Sequence, residues 1–424
     1  MAHISLGLGL FLVSYVVFCA FILYVFVIAD PATSKLAYQA TVVGPNKVWK
    51  IIGNSVGPRK LKVLEAIADR ALMMVYLAVV LGAWTVVFWY IYPWILESPH
   101  VSNYHRQLGY FVFVACFGSW RFCSTSSPGI ITKKSFDRFN HYPYDNLLFL
   151  PDRKCETTNL TRIARSKFDR LKYNANVPRY DHFCGWVFNT IGEENYRWFL
   201  LFLAIHVGMC FYGTYVCIAL FHGHIRDERL LEITFFDRST GEEFKATWFV
   251  VAQYLFARKM PECAVLIIML VMGIALGGFL GYHCYLTTLN LTTNESQKWG
   301  DVQSWYKKEM KKYKEAVKRG DVKPTKDASL SKQSSEGPKV DLSDGDVNCT
   351  GGTTESSSSQ KAQANPTDDK DTPSPSSSQQ TLMDPGPLPK NIYNRGFVEN
   401  WKEVLFPISL RKDYVPDSGK RKDT

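Results

Sequence analysis

The stretch YDHFCGWVFNTIGEENYRWFLLFLAIHVGMCFYGTYVCIALF, Tyr180–Phe221, passes without a linker from a polar segment into an apolar run. The second half, 198–221, contains no Asp, Glu, Lys or Arg. About 20 apolar residues in a helix cross a hydrocarbon core, so this run reads as a membrane span. The first half brings Asp181, His182 and Cys184 within four positions. A cysteine reacts as its thiolate, a neighbouring imidazole can take the proton, and a carboxylate can orient the imidazole. The stretch therefore sets nucleophilic cysteine chemistry at the start of a transmembrane helix.

Four more runs extend this reading along the chain. Ile4–Ile28 is 25 residues without a charge. It lacks the basic leader and shorter apolar core of a cleavable signal peptide, so it too is read as a span. The others are about 72–96, 107–123 and 263–286, the third of the five being short and interrupted by Arg121. The fold class expected is an all-α polytopic membrane protein of about five transmembrane helices. The piece TWFVVAQYLFA, 247–257, is too short to span and is expected as an interfacial helix.

Lys and Arg concentrate in three places: residues 29–71, the region between the third and fourth runs, and the C-terminal tail. The positive-inside rule makes these regions cytosolic, with the N-terminus lumenal or outside and the loop at 223–261 lumenal. The net charge of +10 then fits a protein beside anionic lipid, spread over loops rather than gathered for nucleic acid. Of the ten cysteines, Cys19, Cys116, Cys210, Cys217 and Cys284 lie inside apolar runs as small hydrophobes. No CxxC pair occurs, which excludes an intact zinc module of the usual spacing. His206 and His283 also lie in apolar runs, and a hydrogen-bonded neutral ring between helices is the simpler reading of both.

The expected organisation is helices 1–3 over 1–123, a small irregular cytosolic domain over 124–197, helices 4–5 with a lumenal loop over 198–287, and a cytosolic tail over 288–424. In the tail, 321–388 is Ser-, Pro- and Gln-rich and cannot bury a core, so disorder is expected there. Order is expected to resume at NIYNRGFVENW, within 391–407. Sequons at Asn159, Asn290, Asn294 and Asn348 fall on the expected cytosolic side and should stay unmodified.

These residues together resemble the DHHC-type protein S-acyltransferases (palmitoyltransferases). Arg162, Ala164, Arg165, Ser166 and Lys167 match the family's basic segment. Asp181, His182, Cys184, Trp186, Asn189, Gly192, Asn195 and Tyr196 match the block around its reactive cysteine. Ser127–Gly129 resembles its Asp-Pro-Gly with the Asp replaced; Thr292–Glu295 matches its Thr-Thr-x-Glu; Asn400 stands for the Asn of its C-terminal aromatic segment. The closest likeness is to the branch of fungal and plant endomembrane enzymes, which implies a location in the endoplasmic reticulum or Golgi.

The resemblance implies that Cys184 takes a long-chain acyl group from acyl-CoA and passes it to cysteines of membrane proteins, with His182 as base and Asp181 orienting it. It implies support from Asn189, Thr292, Thr293, Glu295 and Asn400. Arg162, Arg165, Lys167 and Arg179 are candidates for the CoA phosphates by charge. The family binds two zinc ions through six Cys and two His. The corresponding positions here are Cys155, Thr158, Phe168, Asp169, Lys172, a site near Ala175, Phe183 and Thr190. Only Cys155 survives as a ligand, so no metal and no other cofactor is expected. Phe168, Tyr173, Tyr180 and Phe183 are expected to supply a small apolar core instead. Two other readings stay open: an inactive relative that scaffolds substrates, and a transporter-like protein.

Overall fold

The computed structural model describes residues 58–236, 241–321 and 384–411. Two compact units account for them. The first is drawn from Met1–Pro143, Asp152–Glu295 and Tyr393–Thr424, the second from Tyr144–Pro151 and Ser296–Ile392.

In the first unit, helix α1 (Pro58–Asp69) leads into α2 (Ala71–Glu97), which contains a π turn at Val87–Ile91. Helices α3 (Tyr104–Thr125) and α5 (Tyr196–Asp227) follow, with a one-turn helix α4 (Phe136–Phe139) and two β-hairpins between them. Then come α6 (Trp248–Arg258) and α7 (Met260–Thr288). Three of these are long and apolar enough to cross a membrane: α2, α5 and α7. The expectation of five spans is met in part. The run at 4–28 lies outside the described residues. The run at 107–123 forms α3, but His105, Arg106, Arg121 and other polar residues at its two ends leave too short an apolar stretch.

α5 is the axis of this unit and packs along both α7 and α3. Its inner side joins Ile91, Tyr92, Trp94, Val216, Leu220 and Met269 in one buried cluster. On the outside, Val79, Trp89, Phe111, Val114, Ile267 and Val271 are exposed. Apolar side chains turned outward all round a bundle are what lipid, not water, tolerates. The helix expected at 247–257 is α6, N-capped by the hydroxyl of Thr247, which accepts from the N–H of Val250.

The region expected to be irregular contains two small hairpins. β1 (Lys167–Asp169) pairs antiparallel with β2 (Ala175–Val177), and β3 (His182–Cys184) with β4 (Asn189–Ile191). Three-residue strands are too short to show a period of two in the sequence. Val177, Val187 and Ile191 are fully buried, and Ile131, Phe139 and Ile163 form a second cluster. Phe168, Tyr173, Tyr180 and Phe183, expected to form a small apolar core, are only half-buried. Gly192 is required by close approach: a Cβ there would sit 2.6 Å from Val177 and 2.9 Å from the carbonyl oxygen of Pro128. That carbonyl belongs to the Ser127–Gly129 turn, so the turn and the glycine fit together. A third hairpin, β5 (Thr234–Phe236) with β6 (Glu243–Lys245), lies in the loop between α5 and α6.

Helix α8 (Thr293–Arg319) begins in the first unit. Thr292 and Glu295 form a capping box: Thr292 N–H donates to Glu295 Oε2 at 3.0 Å and Glu295 N–H donates to Thr292 Oγ1 at 3.2 Å. Helix α9 (Phe397–Leu405) closes the first unit, with Asn400, Glu403 and Val404 buried. Asn400 donates to the last-turn carbonyl of α7 at Thr288, 2.8 Å, tying α9 to the end of that span. In the second unit, α8 continues with Trp299, Val302, Tyr313 and Ala316 buried, and Tyr306 donates to the carbonyl of Gly386.

Candidate active site

Successive side chains of a strand point to opposite faces, so His182 and Cys184 share one face of β3 and Phe183 takes the other. The strand period thus converts the spacing Asp-His-x-Cys into adjacency. Across the ladder, His182 faces Ile191, Phe183 faces Thr190 and Cys184 faces Asn189. His182 Nδ1–H donates to Asp181 Oδ2 at 2.6 Å. A carboxylate only accepts, so this bond fixes the proton on Nδ1 and leaves Nε2 for Cys184.

Asp181 is itself held at the start of α8. The N–H of Thr293 donates to Asp181 Oδ1 at 2.7 Å and its hydroxyl to Oδ2 at 3.0 Å. The positive end of a helix favours a carboxylate. Burial alone would raise the Asp181 carboxyl, but the His182 hydrogen bond, its charge, His283 and the Thr293 N–H hold it below its ordinary value. For His182, burial favours the neutral ring. Hydrogen bonds to Asp181 and Cys184, and the negative charge of both, outweigh that and push it up to about 10. The site therefore favours an imidazolium beside the Cys184 sulfur.

Cys184 also lines an apolar cavity of about 390 Å³ between the helices, with Tyr76, Val79, Trp186, Phe202, His206 and Met269 among its walls. His206 accounts for its polarity by bonding Tyr76 Oη at 2.8 Å and the carbonyl of Phe202. His283 bonds Tyr196 Oη at 2.8 Å and lies 6.0 Å from the His182 ring. Both histidines are thus hydrogen-bonded packing groups, as the sequence reading had it.

Two of the four expected phosphate contacts are placed elsewhere. Arg165 is fully buried and forms a fork on Glu295, with Nε to Oε1 and Nη2 to Oε2 both at 2.7 Å. It also reaches Asn290 and Glu403 and lies over the rings of Tyr142 and Tyr393. Arg179 is buried beside Asn290 and Glu403. With no surface toward water, neither guanidinium is open to a phosphate; they lock the hairpins to α8 and α9. Lys167 is exposed and lies over Tyr180, and Arg162 is half-buried. Tyr142, Tyr393 and Glu403 were not singled out from the sequence, and Asn290 was noted only as a sequon; nothing local says which charge they meet. Asn290 is buried in this network, so its sequon has no accessible side chain.

The residues at the eight family metal positions do not fit zinc. Structural zinc takes four N, S or O ligands, and no group of three or more His, Cys, Asp or Glu that could hold a metal ion occurs among the described residues. Thr190 shows the misfit: its buried hydroxyl has no partner and stands across the ladder from Phe183.

Residues 149–300 match the family model for DHHC palmitoyltransferase. Palmitoyltransferase SWF1 of Yarrowia lipolytica is 31% identical over 220 residues, covering 50% of this chain and 54% of that protein. Palmitoyltransferase ZDHHC4 of Mus musculus is 33% identical over 184 residues, covering 42% and 53%. Palmitoyltransferase swf1 of Schizosaccharomyces pombe is 32% identical over 178 residues, covering 42% and 45%. The chain spans about half the length of these curated relatives. Over residues 149–300, which contain the three hairpins and two of the three spans, the chain is similar to the DHHC palmitoyltransferase family.

Proposed function

We propose that the chain is a protein S-acyltransferase that moves a long-chain acyl group from acyl-CoA through Cys184 to cysteines of membrane or membrane-associated proteins. One observation carries this reading: Cys184 shares a strand face with the Asp181-bound imidazole of His182 and itself lines an apolar cavity. In the first step the Cys184 thiolate attacks the thioester carbonyl. The new C–S bond forms, the bond to CoA breaks, and the CoA thiolate takes the proton from His182. In the second step the now neutral His182 takes a proton from the incoming cysteine thiol. That thiolate attacks the acyl-enzyme, and Cys184 leaves as a thiolate beside the restored imidazolium. Both bonds exchanged are thioesters, so the enzyme's contribution is positioning and proton transfer. The cavity would hold the acyl chain. Lys167 and Arg162 remain the candidates for the CoA phosphates. The branch resemblance supports a place in the endoplasmic reticulum or Golgi with the hairpins cytosolic.

The test is transfer of a clickable palmitoyl group from its CoA ester to purified protein. A hydroxylamine-labile label on Cys184, absent from Cys184→Ser and reduced roughly 10²–10⁴-fold in His182→Gln, is expected. A wild-type chain that takes no label while its Asp181 and His182 neighbours are intact would mark it as a scaffold.

A further inference from the structure

The family resemblance implies a domain held by two zinc ions, and this chain lacks the ligands, so something else must join its hairpins. The turn of the first hairpin contains Asp169 and Lys172, two of the substituted metal positions. Asp169 closes that turn by itself: its carboxylate accepts from the N–H groups of Leu171, Lys172 and Tyr173 at 3.3, 3.2 and 2.8 Å. Lys172 reaches out of it. Its ammonium donates to the carbonyl of Ser124 in the last turn of α3 at 3.2 Å. It also donates to the carbonyl of Phe188 at 2.9 Å and to Asn189 Oδ1 at 2.9 Å.

A lysine ammonium has three N–H donors, and here each finds one acceptor. The three acceptors come from two elements outside the first hairpin: α3 and the second hairpin. Asn189, opposite Cys184 in the ladder, completes the joint. Its Oδ1 also accepts from Tyr173 Oη at 2.8 Å, and its Nδ2 donates to the carbonyls of Cys123 and Ser126, both at 2.8 Å. The ring of Phe188, which the ammonium also faces, meets that of Phe183. The positive charge of Lys172 thus sits where α3, the first hairpin and the second hairpin meet.

We propose that the Lys172 ammonium replaces the divalent cation as the cross-link between the two hairpins, so that this domain folds and holds Cys184 in place without zinc. Three fixed oxygens around a compact cation do the joining. The inference stands apart from the acyl-transfer reading, because its readouts are metal content and thermal stability, which keep their meaning if no acyl transfer is found.

Three measurements on the full-length protein in detergent test it. Elemental analysis of the purified chain should find far less than one zinc per protein, and a strong chelator should leave Tm unchanged. Lys172→Met, which keeps the stem and removes the donors, should lower Tm by roughly 5 °C or more. Stoichiometric zinc in the wild type with chelator-sensitive Tm overturns the proposal, as does a Lys172→Met chain as stable as wild type. If Lys172→Met does not fold, the wild-type metal and chelator measurements still decide.

Discussion

Replacing Arg165 with Met removes a guanidinium that no water reaches. Its fork on Glu295, its bonds to Asn290 and its place beside Glu403 all go at once. Burial opposes the charge of Arg165, but Glu295, Tyr142 and Glu403 more than offset this and keep it firmly cationic. The methionine stem roughly fills the volume, so the cost is electrostatic: two buried carboxylates lose a counter-charge. Breaking one partner out of a buried pair costs about 3–5 kcal/mol. At roughly 2–4 °C per kcal/mol for a domain of 150–250 residues, Tm should fall by roughly 6–20 °C. Arg165→Lys keeps the charge but not the fork, and should fall in between. Adding Glu295→Gln to Arg165→Met removes one stranded charge and should recover part of the loss. The assay is differential scanning fluorimetry in detergent, run beside acyl loading at several acyl-CoA concentrations. The contrary outcome is an Arg165→Met chain with wild-type Tm and only a raised KM for acyl-CoA. That pattern would mean that Arg165 grips a phosphate in solution and that the buried network is wrong.

Three more outcomes are expected. His182 is held up to about 10 in the folded chain against an ordinary 6.5, so its stabilising contribution is complete below about 6.5 and is lost as pH rises through about 10. Wild-type Tm should decline over that window, and Asp181→Asn should flatten the decline; equal slopes in both proteins would contradict the assigned ion pair. Cys210 lines the cavity and lies 11 residues beyond Phe199 on α5, about 16 Å along the helix. Cys210→Phe should shift loading from C16 toward shorter acyl-CoAs, since each methylene denied burial costs about 0.8 kcal/mol; an unchanged chain-length profile would place the acyl group elsewhere. Thr293→Val deletes the hydroxyl bond to Asp181 and leaves the N–H bond. Acyl loading should drop by roughly 10–150-fold, the equivalent of ~1.5–3 kcal/mol for a hydrogen bond to a charged group, and a pH profile identical to wild type would rule out a role for that hydroxyl in tuning Asp181.

The apolar spans were legible because membrane helices leave long uncharged runs. Cys184, His182 and Asp181 were legible because strand geometry needs only two or three neighbouring residues to assemble them. The hairpins were not, since three-residue strands carry no periodicity. Arg165 and Arg179 misled for a different reason. Surface cations and buried ones look alike in sequence, and the carboxylates that decide the matter lie 130 and 238 positions from Arg165. Lys172 reads only as a missing cysteine until its three acceptors are located in space.

The partnership of Arg165 with Glu403 spans 238 positions, and it imposes an order on biosynthesis. A ribosome adding about 5–20 residues per second needs roughly 10–50 s to travel that far. Throughout that interval the hairpins exist with two interior cations and only part of their neutralising charge. The nascent protein must therefore wait, already threaded through the bilayer, before its reactive thiol can be locked into register.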